Sequence, residues 1–481
     1  MLLQPILIWP QNSGRMQDSD SAGSKGLKPV LGLWDLVFYG IVLNQPVAAV
    51  GLFGLVSVIS KGHMVTTLLL SMVAMSLTGI SYGRMAALYP SAGSAYSYVG
   101  KGLNRHLGFL AGWSMILCYL IIPVINTVFG VLTIQRLFPG IPYSAGVMVF
   151  IAIISFLNLQ GVRSSMTANK IMLYLMLIII GAFIVMAIRY IIQTLGLGGL
   201  TDIKPLYNSE TFSMSAIAAG TSLVALTYVG FDGITTLAED VKNPKKNILL
   251  AIVIVFVFTG LFSSLQMFLA QQSAQTMWLD GAIQTDLPFF SRIPEQNIET
   301  AFMTVCAQVG GVLLFNAMII TMFVACVGSG MAGQLGAARL LYGMGKDDVL
   351  PRKFFSFLDR KRNSPVLNIL LIAVLSIAGA LVLNYQKVAE LINFAALTAF
   401  MGVNLAAIKR LYFNQIREKK SLLRDLFVPA AGFLFCLWIW ISLPDSPKIL
   451  GGIWFLAGII YLAITTKGFR KKPARLDFKD I

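Results

Sequence analysis

About twelve stretches of this chain are apolar over a length that would cross a bilayer, at roughly 35–58, 65–88, 107–134, 143–160, 170–193, 213–238, 247–271, 301–341, 366–384, 389–411, 426–442 and 449–466. Lipid offers backbone N–H and C=O groups no partner, so such stretches are compatible with helices that bond within themselves and with little else. Only 12% of the residues are charged and the mean hydropathy is +0.76, whereas a soluble domain carries about 25% charged residues. The chain therefore reads as an all-α polytopic membrane protein with about 12 transmembrane helices.

The net charge of +16 is distributed in a way that points to a membrane topology, with nucleic acid a remote second reading. Of the 37 Lys and Arg residues, only Lys61, Arg136, Arg189, Lys204, Arg292, Lys387 and Lys448 fall in one set of alternate loops. The rest gather in the other loops and both tails, with Arg84 ending the second span and Arg339 in the eighth, an asymmetry that places both termini in the cytoplasm. Basic runs such as Arg470-Lys471-Lys472 then read as contacts with anionic headgroups. Cys118, Cys306, Cys326 and Cys436 lie inside apolar segments without CxxC spacing and read as small buried hydrophobes. Residues 1–26 read as dispensable, without a secretory signal, and Met16 is a second candidate start.

Two of the spans are interrupted. In the first, Asn44-Gln45-Pro46-Val47-Ala48 carries a proline that removes one helix hydrogen bond and blocks the preceding turn. In the sixth, Gly230-Phe231-Asp232-Gly233 sets glycines on both sides of a carboxylate, which costs roughly 2.5–3.5 kcal/mol at bilayer depth on insertion scales. Interruptions at matching places in two five-span units point to an inverted-repeat transporter with its site between the breaks. The units are residues 31–195 (helices 1–5) and 205–415 (helices 6–10), with helices 11–12 at 420–467 and tails at 1–30 and 468–481. Unwound carbonyls with Asp232 suit a small cation.

Four further motifs carry a family likeness. They are Tyr89-Pro90-Ser91-Ala92-Gly93-Ser94-Ala95-Tyr96, the Gly230–Gly233 stretch with the loop to Lys246, the segment 338–351 and Asn393-Phe394-Ala395-Ala396. In order across about 30–465, they resemble the amino acid–polyamine–organocation permeases. The resemblance implies the five-plus-five inverted repeat (LeuT-like) with helices 1 and 6 broken, plus two extra helices, and secondary transport of amino acids or amines. It puts Asp232 where arginine/agmatine antiporters have an acidic gate and Leu226 where they have a Trp. Freed N–H groups of the first break would bind a carboxylate, with Asn44, Gln45, Val47 and Ala48 as candidates and Pro46, which has no N–H of its own, among the residues lining the site. Gly230, Phe231, Asp232 and Gly233 would hold the ammonium end, Phe231 against the apolar part, and Tyr96 would close over the substrate. Arg339 with Asp347 or Asp348 would form an inner-face ion pair.

Pro46 and the Tyr119–Asn126 stretch are similar to putrescine importers, which carry extra acids where this chain has Gly51 and Cys118. With one acid at depth, the chain favours an amino acid or monoamine, with putrescine as the alternative reading. Coupling to a proton gradient through Asp232, or to sodium through Thr321 or Ser329, is expected; no cofactor or metal is. His63 and His106 stand at opposite faces and suit coupling poorly. Gly328-Ser329-Gly330-Met331-Ala332-Gly333 spells a dinucleotide fingerprint without its strand or acid and reads as helix packing. No nucleophile–base pair supports an enzyme and no continuous polar face supports a channel; a transporter-like sensor is the remoter alternative. The expected setting is a monomer or homodimer in the inner membrane.

Overall fold

The structure, a computed structural model, describes residues 31–89, 94–160, 166–238, 241–277, 288–346, 350–359, 364–414, 421–471 and 473. Residues 1–30, residues 472 and 474–481 of the basic tail, Pro90 to Gly93, and the Asp347 and Asp348 of the expected ion pair lie outside the described residues. Among those described, the architecture is helical, with isolated bridges Leu31–Val241 and Asp359–Ser364 in place of strands. The helices are α1 (Leu33–Asn44), α2 (Phe53–Ile59), α3 (Met64–Leu88), α4 (Ser94–Gly102), α5 (Arg105–Gln135), α6 (Tyr143–Leu159), α7 (Met166–Leu195), α8 (Gly198–Thr201) and α9 (Met214–Val224). They continue with α10 (Asp232–Thr236), α11 (Pro244–Ala274), α12 (Ala301–Lys346), α13 (Arg352–Phe355), α14 (Val366–Val382), α15 (Tyr385–Ile408), α16 (Val428–Ile441) and α17 (Asp445–Thr465). Nine helical segments of the described residues are long and apolar enough to cross a membrane, accompanied by the shorter apolar helices 33–44, 50–59, 143–159 and 366–382.

Local sequence sets the ends of these helices. Asn104 opens α5 by accepting the Leu107 N–H at 2.9 Å, and Asn384 opens α15 by accepting that of Lys387 at 2.9 Å; each satisfies an orphan donor of the first turn. Pro244 occupies the first turn of α11, where its missing N–H is not needed. Two long helices form the centre. α5 runs between α12 and α15, while α3 lies along α11. The last helix is tied to this centre by Trp113 and Trp454. Each indole donates to the other's carbonyl, at 2.9 Å and 3.0 Å.

Three apolar stretches are broken, two of them at the interruptions expected from sequence and one that reads as continuous. The first leaves helical geometry at Gln45 (φ 49°) and resumes through a 3-10 turn, Val50–Leu52, into α2. The second ends α9, passes through a 3-10 turn at Ala225–Tyr228 and restarts at Asp232. The third break lies in the expected span 301–341. Gly311 has φ 64° and ψ −163°, so residues 301–310 form their own segment ahead of the long helix. Gly54 explains where that segment sits: a Cβ on Gly54 would run into the Ile298 carbonyl and the Ala301 side chain, so α2 and residues 298–301 meet backbone to backbone. The glycine series 328–333 lies within α12, where Gly333 faces Ile122 and Pro123 of α5. That is helix packing, as its composition implies.

Candidate functional site

Both expected breaks border one cavity of about 360 Å³, within the size range of small-molecule sites. α1 and the turn after it contribute Tyr39, Leu43, Asn44, Gln45 and Ala48, and the second break contributes Leu226, Val229, Gly230, Asp232 and Gly233. α5 lines it with Met115, Cys118, Tyr119, Ile122, Ile125, Asn126 and Phe129; α12 with Met322, Cys326, Ser329, Ala332 and Gly333; α15 with Tyr385 and Ile392. The three-and-four spacing on α5 and α12 marks one stripe of each helix.

Asp232 is 2% exposed. The Tyr119 hydroxyl hydrogen-bonds to its carboxylate, while its Oδ2 has no partner. The ion pairs of the described residues join other groups, so this carboxylate has no cationic partner among them. Tyr39, Tyr82 and Tyr98 also lie within electrostatic range of it. The Asn44 side chain is 2% exposed with both Oδ1 and Nδ2 unpartnered. Gly230 has φ 120°, a region that L side chains avoid. A Cβ there would stand 3.5 Å from the Leu43 carbonyl oxygen and 3.7 Å from Asn44 Oδ1, so the two breaks meet at residues 43–44 and 230.

Carbonyls released by the breaks are partly bound from other helices. Gln266 of α11 donates its Nε2–H to the Pro46 carbonyl at 3.2 Å. Asn393 of α15 donates Nδ2–H to the carbonyls of Ser222 and Leu223, at 2.7 Å and 3.1 Å, at the end of α9. Buried backbone groups seek such partners because leaving them bare costs several kcal/mol in hydrocarbon. Within the first break, Ala48 N–H bonds to the Gln45 carbonyl at 2.9 Å, so that donor is already engaged.

Of the residues singled out from sequence, Asn44, Gln45, Ala48, Leu226, Gly230, Asp232, Gly233 and Ser329 line the cavity. The others lie elsewhere. Val47 is fully buried, and Pro46 is not among the lining residues; its carbonyl is bound by Gln266. Phe231 packs among Tyr82, Phe256 and Phe400 with ring centroids at 5.0, 4.9 and 5.1 Å, because the break turns residue 231 to the opposite side from its neighbours. Tyr96 lies against α5, where a Cβ on Gly112 would stand 3.2 Å from its ring, and it is not among the lining residues. Thr321 is 3% exposed and likewise outside the lining. His63 accepts the Asn208 N–H on Nε2 at 3.1 Å, and its Nδ1 lies 3.0 Å from the Ser60 carbonyl, away from the cavity. Sequence reasoning gave no site role to Tyr39, Phe129 and Tyr385, nor to Tyr119 and Asn126, which it cited only as the ends of a stretch similar to putrescine importers. A stripe count along 115–129 would have found those on α5.

A family model described as amino acid permease matches residues 42–444. The low-affinity putrescine importer PlaP of Escherichia coli (strain K12) is 31% identical over 448 residues, covering 92% of this chain and 95% of that protein. The branched-chain amino acid permease BcaP of Lactococcus lactis is 25% identical over 445 residues, 85% of this chain and 88% of the relative. The methylthioribose transporter of Bacillus subtilis is 25% identical over 476 residues, 93% and 94% respectively. With its helical membrane-length segments and its broken pair, this chain belongs to the amino acid permease family of the APC superfamily.

Proposed function

We propose that this protein is a secondary active transporter that moves amino acids or related amines across the inner membrane by alternating access. The reading takes the described helices as twelve crossings, with α1 and α2 forming one broken span and α9 and α10 another. They form two inverted five-span repeats, followed by two further spans, with both termini in the cytoplasm. One observation carries it: a carboxylate 2% exposed, with one oxygen unpartnered, lining a cavity between two helix breaks. A buried charge without a partner is costly, and a ligand ammonium against Asp232 removes that cost. The unpartnered amide of Asn44 has donors for a substrate carboxylate or hydroxyl, which favours an amino acid or amino alcohol. Proton coupling would run through Asp232; sodium coupling would involve Ser329.

The second reading is a putrescine importer, favoured by the 31% identity to PlaP over 92% of the chain. A diamine asks for two strong acceptors, and the cavity lining carries the single carboxylate Asp232. Uptake into proteoliposomes tests both readings. Saturable accumulation of a labelled amino acid or of putrescine, driven by an imposed proton or sodium gradient, is expected. Binding without accumulation under either gradient would make the protein a sensor and overturn the transport reading.

A further inference from the structure

Asn126 lies seven positions after Tyr119, two turns of α5, so both face the cavity about 10 Å apart along the axis. Tyr119 marks the Asp232 end. The Asn126 end has a different chemistry. Asn126 is 9% exposed. Its Nδ2 donates to the Ile122 carbonyl at 2.8 Å and to Ser329 Oγ at 3.1 Å. The Ile122 carbonyl can only accept, which fixes the orientation of the amide. Both amide protons are therefore committed, and what Asn126 has left for the cavity is the acceptor Oδ1.

We infer that Asn126, held in place by Ser329, is a specificity-determining subsite that takes a hydrogen-bond donor on the far end of the substrate. The inference rests on the amine site at Asp232 and deepens it. A hydrogen bond of about 3 Å at each end leaves about 5 Å for the ligand, roughly the span of a short chain of four to five bonds. The ligand class is an elongated primary amine bearing a hydroxyl, amide N–H or second amine at its other end. A carboxylate is rejected there, since acceptor would face acceptor. Ser329 acts in this arrangement as a positioning residue for Asn126, its oxygen already engaged by the amide.

Two isosteric probes test this on the purified full-length protein: pentylamine, and aminobutanol with a hydroxyl in place of the terminal methyl. Dissociation constants are measured by calorimetry, with the thermal midpoint of each ligand-free variant as the folding control. The wild type is expected to hold aminobutanol about tenfold more tightly, the worth of one well-placed hydrogen bond. Asn126→Ala brings the ratio close to one, and Ser329→Ala lowers it partway. Equal affinities in the wild type, or an undiminished ratio in Asn126→Ala, would overturn the subsite. If Asn126→Ala does not fold, an unchanged ratio in Ser329→Ala overturns it equally. Failure of the underlying amine reading looks different: neither probe binds, or both bind Asp232→Asn as tightly as the wild type.

Discussion

Replacing Asp232 by Asn alters one charge and almost no volume, and the structure sets what each half of the change does. Asn keeps an oxygen for the Tyr119 hydroxyl that now bonds to the carboxylate, so the local packing has no reason to move. What disappears is the negative end of the proposed ion pair with a ligand ammonium. At a separation of about 4 Å and an effective dielectric near 20, that attraction is about 4 kcal/mol. Tyr119 already disperses part of the charge, so about 2–4 kcal/mol is the expected loss, roughly 30-fold to 1000-fold in Kd. The ligand-free protein moves the other way. Its wild-type form holds a carboxylate oxygen without a partner, and a neutral amide at the same place is cheaper to bury. The thermal midpoint of unliganded Asp232→Asn is therefore expected at or above that of wild type at neutral pH. Calorimetric titration of an amine and of its deaminated analogue, alongside a melting curve, reads both effects. An unchanged amine affinity, or an equal loss for the deaminated analogue, would refute the reasoning.

Three further variants probe the architecture around this carboxylate. Gly230→Ala meets no atom closer than 3.5 Å but must hold φ near 120°, a strain of about 1–3 kcal/mol; ligand affinity should fall roughly 5-fold to 100-fold as assayed by titration. Gly54→Ala pushes a methyl into the Ile298 carbonyl, a backbone atom that cannot rotate aside, and should destabilise the protein by about 1–3 kcal/mol, visible as a lower thermal midpoint. Phe231→Leu removes ring contacts with Tyr82, Phe256 and Phe400 and should lower the midpoint while shifting ligand Kd by less than about threefold. A large affinity change without loss of stability would return Phe231 to the cavity.

The sequence disclosed most about positions whose chemistry conflicts with a membrane helix. Pro46 cannot continue the hydrogen-bond ladder, Gly230 tolerates a φ closed to other residues, and Asp232 is out of place in hydrocarbon; each marks a break or a charge without knowledge of any neighbour. Residues that are ordinary in a membrane helix give no such sign. Tyr119 and Asn126 matter because α5 turns them toward the breaks, and that rotation is decided by how α5 packs between α12 and α15. Phe231 shows the converse. It sits between two cavity-lining residues in sequence, yet the backbone at Gly230 sends its ring to the other side. Gly311 is one glycine among several in a long apolar run, and only its place beyond the membrane-length part of α12 distinguishes it. Tyr96 stands out in sequence only through the loop motif before it, part of which lies outside the described residues, and its ring is taken up by Gly112.

The bond from Gln266 to the Pro46 carbonyl ties α11 to the first break. Any rearrangement that carried Pro46 away from α11 would strand that oxygen where water does not compete, along with a Gln266 side chain whose own Oε1 already lacks a partner. The first break and α11 are thus yoked. In the proposed alternating access, a rocking motion that opens the cavity would take both together, and the surfaces free to slide would be those the yoke does not cross.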